Sequence, residues 1–355
     1  MHFSASLISW YYSNKRNLPW RLTTNVYHIW VSEIILQQTR VAQGTQYYNR
    51  FLERFPDVFA LTNADESEVL KIWQGLGYYS RARNMHAAAR QIVNEYDGVF
   101  PADYKSLIKI KGIGNYTACA LLSFGYNLPY PVIDGNVKRV ISRIFAIKQE
   151  INSPEATSLI TEKLEKVFDK EHPSDFNQAI MEFGALKCKP GLPDCPNCIF
   201  ISICRAFKKG QVLKYPLISK KQIELRRYFN YIVPVFYRRN NAFTFLHKRN
   251  GNDIWKNLYE FPLIEMDRIL SDKEIMLRDD FGKIFPMKRI KVLSKSEPVI
   301  HKLTHQIIHA RFIHIEIEED FSQNDLLEIL ITDLKLFPIS RLVEKYLISK
   351  NYFVL

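Results

Sequence analysis

A mostly α-helical N-terminal domain followed by an α+β domain is the fold class that this sequence predicts. The chain has 355 residues, more than one ordinary hydrophobic core accommodates. Its apolar residues recur at helical spacing from about residue 3 to 187. After about residue 226, β-branched and aromatic residues become frequent instead. We therefore predict domains at residues 1–208 and 227–355, joined by a linker at 209–226.

Spacing and turn residues indicate the individual elements of both halves. In the first half, short segments containing Gly, Pro or Asn separate helical runs. In the second half, residues 228–237 and 242–247 predict a β-hairpin that turns at Arg239-Asn240-Asn241. Residues 310–317 alternate between apolar and polar as a further strand does. The clearest helical spacings are Leu70, Trp73 and Leu76, then Val137, Val140, Ile141 and Ile144.

The charge of the chain favours a polyanionic partner. The net charge is +12 and the pI is about 9.3, and such an excess of Lys and Arg attracts phosphates. A basic protein without such a partner is the alternative, and charge does not separate DNA from RNA or from an anionic membrane. No apolar run is long enough for a bilayer, and the N-terminus lacks a signal-peptide pattern. From the absence of targeting segments we expect a cytoplasmic protein of bacterial origin.

Four of the five cysteines form a compact motif, Cys188, Cys195, Cys198 and Cys204, with the spacing C-x6-C-x2-C-x5-C. A single short loop with this spacing can hold a [4Fe–4S] cluster. Zinc is the alternative, although its four-cysteine sites usually come as two close pairs, and here only one pair is close. The fifth cysteine, Cys119, is expected to be a small buried hydrophobic residue.

Two carboxylates stand out as candidates for acid–base chemistry. Asp134 precedes a helical repeat that starts at Val137, so it is a natural N-cap whose anion the helix dipole favours. Glu33 shares a helical face with apolar residues, and burial there would raise its pKa. The simpler alternatives are a cap alone for Asp134 and an ion pair with Arg21 or Arg40 for Glu33. Two carboxyl groups of different pKa suit acid-assisted glycosidic cleavage.

Residues 107–118 contain Gly112-Ile113-Gly114 and are typical of a helix, a tight turn and a second helix whose amides can hold a phosphate. Together with Asp134 and the cysteine spacing, this segment resembles the helix–hairpin–helix–Gly/Pro-Asp signature of the endonuclease III superfamily of DNA glycosylases. Lys111 stands where that family often has proline. The resemblance implies DNA contact by Gly112 and Gly114. It also implies monofunctional base removal, because Tyr116 replaces the lysine of bifunctional members.

The chain also resembles the adenine DNA glycosylases of the MutY type over nearly the whole of its first 205 residues. Residues 18–21, 31–41, 75–84 and 134–140 carry this resemblance. It implies that a monomer binds double-stranded DNA and excises adenine mispaired with 8-oxoguanine or guanine by base flipping. The roles that it implies are Glu33 as the acid and then the base for water, and Asp134 as the stabiliser of the sugar cation or its transient covalent partner. It also implies Tyr116 and Asn136 as the residues that line and orient that site, and Gln38 and Tyr78 as residues inserted into the base stack.

The second half resembles the Nudix-like domain that ends this family, through residues 252–262. The acidic metal-binding helix pattern of active Nudix enzymes is missing after Pro262, so pyrophosphohydrolase activity is not expected. Leu303, Thr304 and His305 resemble the loop that recognises 8-oxoguanine, with leucine in place of the phenylalanine of many relatives. A structural role is the alternative for His305. We therefore expect a Nudix-like lesion-recognition domain at 227–355.

Two other functions compete with this interpretation. An endonuclease III-like glycosylase/lyase for oxidised pyrimidines is disfavoured by Tyr116 and by the second domain. A non-catalytic iron–sulfur protein that binds DNA through the hairpin alone is disfavoured by the presence of both Glu33 and Asp134. The role of the cluster, structural or redox, stays open.

Overall fold

The computed structural model describes residues 3–218, 225–286, 290–318, 321 and 323–352. Short 3-10 turns occur at Pro19–Arg21, Val212–Lys214 and Ile331–Leu336. The α-helices are α1 (Phe3–Asn14), α2 (Val26–Leu36), α3 (Val41–Arg54), α4 (Val58–Asn63), α5 (Glu66–Ile72), α6 (Ser80–Tyr96), α7 (Tyr104–Leu107), α8 (Asn115–Tyr126), α9 (Gly135–Phe145), α10 (Pro154–Glu165), α11 (Pro173–Leu186), α12 (Arg205–Lys208), α13 (Asp272–Met276), α14 (Asp279–Ile284) and α15 (Arg341–Ser349).

Apart from an isolated bridge between Glu150 and Leu217, the β-structure of the described residues lies in the second half. The strands are β1 (Leu225–Arg238), β2 (Asn241–Lys248), β3 (Tyr259–Glu260), β4 (Leu263–Met266), β5 (Lys291–Lys295), β6 (Val299–Lys302), β7 (Gln306–Glu316) and β8 (Leu327–Leu330). They form one sheet with the order β3-β2-β1-β7-β5, while β4, β6 and β8 pair with β1, β7 and β2. Strands β1 and β7 are parallel, with Leu225 opposite Gln306, and the other pairs are antiparallel.

The contacts divide the chain into two compact units. The first comprises Met1–Asn63 and Asn84–Lys220, and the second comprises Ala64–Arg83 and Lys221–Leu355. Residues 64–83 lie inside the predicted N-terminal domain, but their contacts place them in the second unit, with the sheet. The predicted linker at 209–226 lies partly outside the described residues, and β1 begins inside its range, at Leu225. No helix in the described segments is long and apolar enough to cross a bilayer.

The predicted β-hairpin forms because its turn residues tolerate left-handed backbone. Arg239 and Asn240 have φ angles of 47° and 67°, as a two-residue turn between twisted antiparallel strands requires. Phe236 then faces Phe243 across the hairpin, and the two rings stack at 5.4 Å. The predicted strand at 310–317 is also confirmed, as part of β7.

The helix α9 is central to the first unit. Its apolar stripe, predicted from Val137, Val140, Ile141 and Ile144, is buried in the core that α1, α10 and α11 share. Burying such a stripe is what fixes an amphipathic helix in place. The N-terminus of α9 is thereby held rigidly, and the candidate carboxylate Asp134 lies at that N-terminus.

Candidate functional site

The first unit contains an open cleft of about 770 Å³. Residues from several separate segments line it, so its shape depends on the tertiary fold rather than on one motif. The sequence-predicted residues that the structure brings together here are Glu33, Gln38, Tyr116, Asp134 and Asn136.

Glu33 is a buried acid at the wall of this cleft. Helix α2 carries it, and the side chain of Asn25 caps that helix by accepting hydrogen bonds from the N–H groups of Tyr27 and His28. Glu33 is 7% exposed, and the hydroxyl of Tyr116 donates to its Oε2 at 2.7 Å. Burial raises the pKa of Glu33 to about 7, only partly opposed by the Tyr116 hydrogen bond. A carboxyl group with this pKa can donate a proton near neutral pH.

Asp134 is the N-cap of α9, as the sequence predicts. Its Oδ1 accepts the N–H of Val137 at 2.7 Å and its Oδ2 accepts the Nδ2 of Asn136 at 2.7 Å. The sequence predicts that the helix dipole and the backbone amides favour the anion of Asp134. Burial instead raises the pKa of Asp134, although the hydrogen bonds from Val137 and Asn136 oppose that rise. Asp134 receives more hydrogen bonds than Glu33 does, so its anion is the better stabilised of the two.

The sequence did not reveal the far wall of the cleft, where a buried glutamate is held by two arginines. Glu182 is 1% exposed and accepts from Arg16 Nη2 at 2.6 Å and from Arg21 Nη2 at 2.8 Å. Burial would raise the pKa of Glu182, but the two arginines outweigh it and lower this pKa to about 2. An ion pair between Arg21 and Glu33 was the simpler alternative, yet the guanidinium of Arg21 binds Glu182 instead. Spacing in the sequence gives no signal for this group, because Glu182 is more than 160 residues away from both arginines.

A close helix contact positions Asn136 beside Asp134. A Cβ atom on Gly184 of α11 would lie 2.7 Å from the Asn136 Cβ and 3.1 Å from its carbonyl oxygen. Only glycine therefore allows α11 to approach the N-terminus of α9. The Asn136 Oδ1 also accepts from Arg139 Nη2 at 2.8 Å, and the same Nη2 donates to the Gly184 carbonyl at 2.7 Å.

We expect Gly184→Ala to destabilise the protein by about 1–3 kcal/mol, because the added methyl group overpacks this contact. Base removal should fall as well, since Asn136 and Asp134 would shift together. Thermal unfolding and a single-turnover rate measure the two effects. Gly191→Ala is the control, because a Cβ there meets nothing within 4 Å. Equal unfolding temperatures for the two variants would contradict the packing argument.

The Gly-x-Gly turn also forms in the first unit. Gly112 has φ of 79°, and a Cβ on it would meet the Asn84 Cβ at 2.8 Å, so both backbone freedom and space require glycine. Gly114 is the N-cap of α8, with open space where its side chain would be. The amides at the start of α8 are therefore accessible to an anion. Gln38, at the turn after α2, is exposed at the cleft and has φ of 56°.

The cysteine loop wraps around a residue that the sequence analysis missed, Arg143 of α9. Arg143 is 1% exposed. Its guanidinium donates to main-chain carbonyls of the loop at 2.7 to 3.2 Å and to the Cys188 Sγ at 3.3 Å. It also donates to two carbonyls further along the chain, at 3.0 and 3.1 Å. The carbonyls that it binds belong to Cys188, Lys189, Pro190, Val212 and Tyr215.

The four cysteines of the loop line one small cavity with apolar walls. Nowhere in the described segments do three His, Cys, Asp or Glu side chains converge as a site for a single metal ion. Burial raises the pKa of Cys198 to about 11, and the nearby thiols of Cys188, Cys204 and Cys195 add to that rise. The Cys198 Sγ accepts the N–H of Phe200 at 3.4 Å, and N–H donors to sulfur tune iron–sulfur clusters. These residues fit a multi-iron cluster.

The second unit has a separate pocket of about 480 Å³. Tyr78, Thr304 and His305 all line it and are exposed, and the hydroxyls of Tyr78 and Thr304 are hydrogen-bonded. Tyr78 follows Gly77 and has a left-handed backbone with φ of 49°. Leu303 also lines this pocket, but it is partly buried against the core of the unit. Of these three loop residues, Thr304 and His305 are therefore the exposed ones.

Comparison with protein-family models gives one match for each half of the chain. Residues 31–169 match the HhH-GPD superfamily of base excision DNA repair proteins. Residues 234–349 match a NUDIX domain. Both matches agree with the fold class predicted from the sequence.

Characterised relatives extend the comparison to almost the full chain. An adenine DNA glycosylase of Buchnera aphidicola subsp. Baizongia pistaciae is 34% identical over 327 residues, 91% of this chain and 89% of the relative. The adenine DNA glycosylase of Homo sapiens is 40% identical over 213 residues, 58% of this chain and 39% of the relative.

Solved structures match the helical part of the chain. A thermostable thymine-DNA glycosylase has a TM-score of 0.54 at 26% identity, over 58% of this chain and 95% of its own. A trapped covalent intermediate of endonuclease III with DNA has a TM-score of 0.51 at 22% identity, over 58% and 94%, and shows likeness of fold alone. The resemblance noted in the sequence is confirmed by these matches. The chain belongs to the adenine DNA glycosylase family, within the HhH-GPD superfamily of base excision DNA repair proteins, and is a DNA glycosylase.

Proposed function

We propose that this enzyme removes adenine mispaired with 8-oxoguanine, or with guanine, from double-stranded DNA, without cutting the strand itself. The observation that carries the proposal is the pair of carboxyl groups in one cleft, a buried Glu33 with a pKa of about 7 and an Asp134 whose anion is hydrogen-bonded. Glycosidic cleavage needs an acid for the leaving base and a negative charge near the sugar.

The chemistry follows from the positions of these groups once the adenine nucleotide is flipped into the cleft. As the N-glycosidic bond breaks, its electron pair goes to the base and Glu33 supplies a proton to that base. The Asp134 carboxylate stabilises the positive charge that develops on the sugar. Glu33, now ionised, takes a proton from water as that water bonds to the sugar carbon. Tyr116 and Asn136 hold the two carboxyl groups in place through the hydrogen bonds described above.

The remaining predicted residues have roles in binding. Gln38 and Tyr78 would enter the base stack, and the turn of Gly112 and Gly114 would hold a phosphate. The pocket of Tyr78, Thr304 and His305 would contact the base opposite the adenine. The exposure of Gln38, Tyr78, Thr304 and His305 supports these assignments.

We also propose that the four loop cysteines hold a [4Fe–4S] cluster. When bound, the cluster would crosslink the loop through four iron–sulfur bonds. Arg143 and Arg139 attach that loop to α9, since the Arg139 Nε donates to the Cys188 carbonyl at 2.9 Å. The loop therefore supports the same helix whose N-terminus carries Asp134. We further propose that the protein acts as a monomer on DNA of the bacterial nucleoid.

A duplex with one labelled adenine opposite 8-oxoguanine tests the reaction. We expect adenine-strand breaks only after hot alkali and no protein–DNA adduct with borohydride, because Tyr116 rather than an amine faces Glu33. Lys138 is an amine that also lines the cleft, but its Nζ donates to the Ile151 carbonyl at 3.5 Å, so we do not expect it to form the adduct. Breaks without alkali, or a trapped adduct, would refute monofunctional base removal.

The pH dependence of base removal tests the role of Glu33. Its carboxyl group must be protonated to act as the acid, and its pKa is about 7. The single-turnover rate at saturating enzyme should therefore be highest below that pH and fall tenfold for each further unit above it. Ionic strength is held constant, because phosphate contacts make binding sensitive to salt. A rate that stays flat or rises through pH 7 would exclude Glu33 as the acid.

A further inference from the structure

Arg227 of β1 makes five side-chain hydrogen bonds within the second unit. Its guanidinium binds both oxygens of Glu265 at 2.6 Å each. It also binds both oxygens of Asp253, at 2.9 and 2.7 Å, and the Oε1 of Gln306 at 3.3 Å. The side chain of Arg227 is only 12% exposed, so water screens these contacts weakly.

Two partners of Arg227 come from different loops that line the same pocket. Asp253 lies on the loop between β2 and β3, and Gln306 ends the loop that carries Thr304 and His305. The His305 carbonyl accepts the N–H of Leu225 at 3.1 Å, which fixes the base of the second loop to β1. The guanidinium is thus a bridge between the two sides of the pocket.

Aromatic packing restricts what could replace this arginine. The Arg227 guanidinium lies over the ring of Phe229 at 4.9 Å. The ring centroid of Phe229 lies 6.1 Å from that of Trp255, which is on the same loop as Asp253. The ring centroids of Trp255 and His301 are 5.9 Å apart. A planar group that stacks on a ring and binds two carboxylates through all three of its nitrogens cannot be matched by the ammonium of lysine.

We propose that Arg227 is a positioning residue for recognition of the base opposite the adenine, because it fixes the spacing between the Asp253 loop and the loop of Thr304 and His305. The proposal rests on the proposed function of this pocket. Arg227 would not touch the base itself. It would set where the hydroxyl of Thr304 and the imidazole of His305 meet it.

Arg227→Lys tests the proposal, with Arg238→Lys as a matched control. Arg238 lies on the same strand, pairs with Glu328 at 2.9 Å and covers the rings of Phe236 and Phe243. None of these partners lines the pocket. The measurement is the dissociation constant for duplexes with adenine opposite 8-oxoguanine and opposite guanine. The saturated rate of base removal and the thermal unfolding temperature are measured beside it.

We expect Arg227→Lys to weaken binding to the 8-oxoguanine duplex about tenfold, the effect of losing about one hydrogen bond to the base. Binding to the guanine duplex and the saturated rate should match those of Arg238→Lys. A merely structural role would instead weaken both duplexes alike, and that result, or no change, would overturn the proposal. If Arg227→Lys does not fold, Asp253→Asn weakens the same bridge and carries the same expectation. A wild-type enzyme without preference for 8-oxoguanine would refute the proposed function of the pocket instead.

Discussion

Glu33→Gln is expected to lower the single-turnover rate of adenine removal by about 10²–10⁴-fold, the usual contribution of a positioned general acid. The amide keeps the shape of the side chain and can still bond to the Tyr116 hydroxyl. Binding to the mispaired duplex should therefore change little. Glu162→Gln is the control, because Glu162 is an exposed residue of α10 that pairs only with neighbouring lysines in the structure.

The same substitution should stabilise the protein at alkaline pH. Folding raises the pKa of Glu33 from 4.5 to about 7, so the folded state holds this proton more tightly than the unfolded chain does. As pH rises from 4.5 to 7, deprotonation of this group lowers the free energy of unfolding by about 3 kcal/mol. Glutamine removes that loss, so the variant should unfold at a higher temperature than the wild type at pH 8. The difference should vanish near pH 4.5.

The reaction rate and the unfolding temperature of Glu33→Gln together distinguish a loss of catalysis from a loss of folding stability. An inactive variant that also unfolds earlier at pH 8 would mean that Glu33 is a structural residue. A variant that retains the wild-type rate would exclude the proposed acid, and Asp134 would then be the next candidate to test by Asp134→Asn.

Arg143→Met is expected to have the largest effect on stability. The guanidinium donates to five main-chain carbonyls, and methionine would leave them without this donor at about 1–3 kcal/mol for each group that water cannot reach. The protein should contain less iron per chain, lose the visible absorption of a cluster and unfold at least about 3 kcal/mol more easily. Iron content, absorption and thermal unfolding measure these changes.

Arg205→Met serves as the control for Arg143→Met. Arg205 is an exposed arginine at the start of α12, beside Cys204. Its replacement should leave iron content and unfolding unchanged. If Arg143→Met loads iron fully and unfolds as the wild type does, the loop is held by its cysteines alone.

Local patterns carried much of the fold and part of the site. The apolar stripe of α9, the turn at Arg239 and Asn240, and the N-cap at Asp134 each depend on residues a few positions apart. The burial of Glu33 followed in the same way from the apolar face of α2. Such features can be predicted because the backbone geometry of helices and turns fixes which neighbours meet.

Features that depend on distant segments could not be predicted. Glu182 meets Arg16 and Arg21 only after α11 folds against the N-terminal residues, and no spacing signals that contact. Gly184 looks like any helical glycine until Asn136 lies against it. The burial that raises the pKa of Asp134 likewise comes from distant segments of the unit, whereas the cap that lowers it is local.

Because of the way in which Arg143 holds the cysteine loop, the backbone path of that loop depends little on its amino-acid sequence. Apart from one sulfur, every atom that the guanidinium binds is a main-chain oxygen, which all twenty amino acids possess. Mutations between Cys188 and Cys195 can therefore accumulate without changing where the chain runs. Over evolutionary time, the four cysteines and one arginine on a distant helix would resist change, while the residues between them drift.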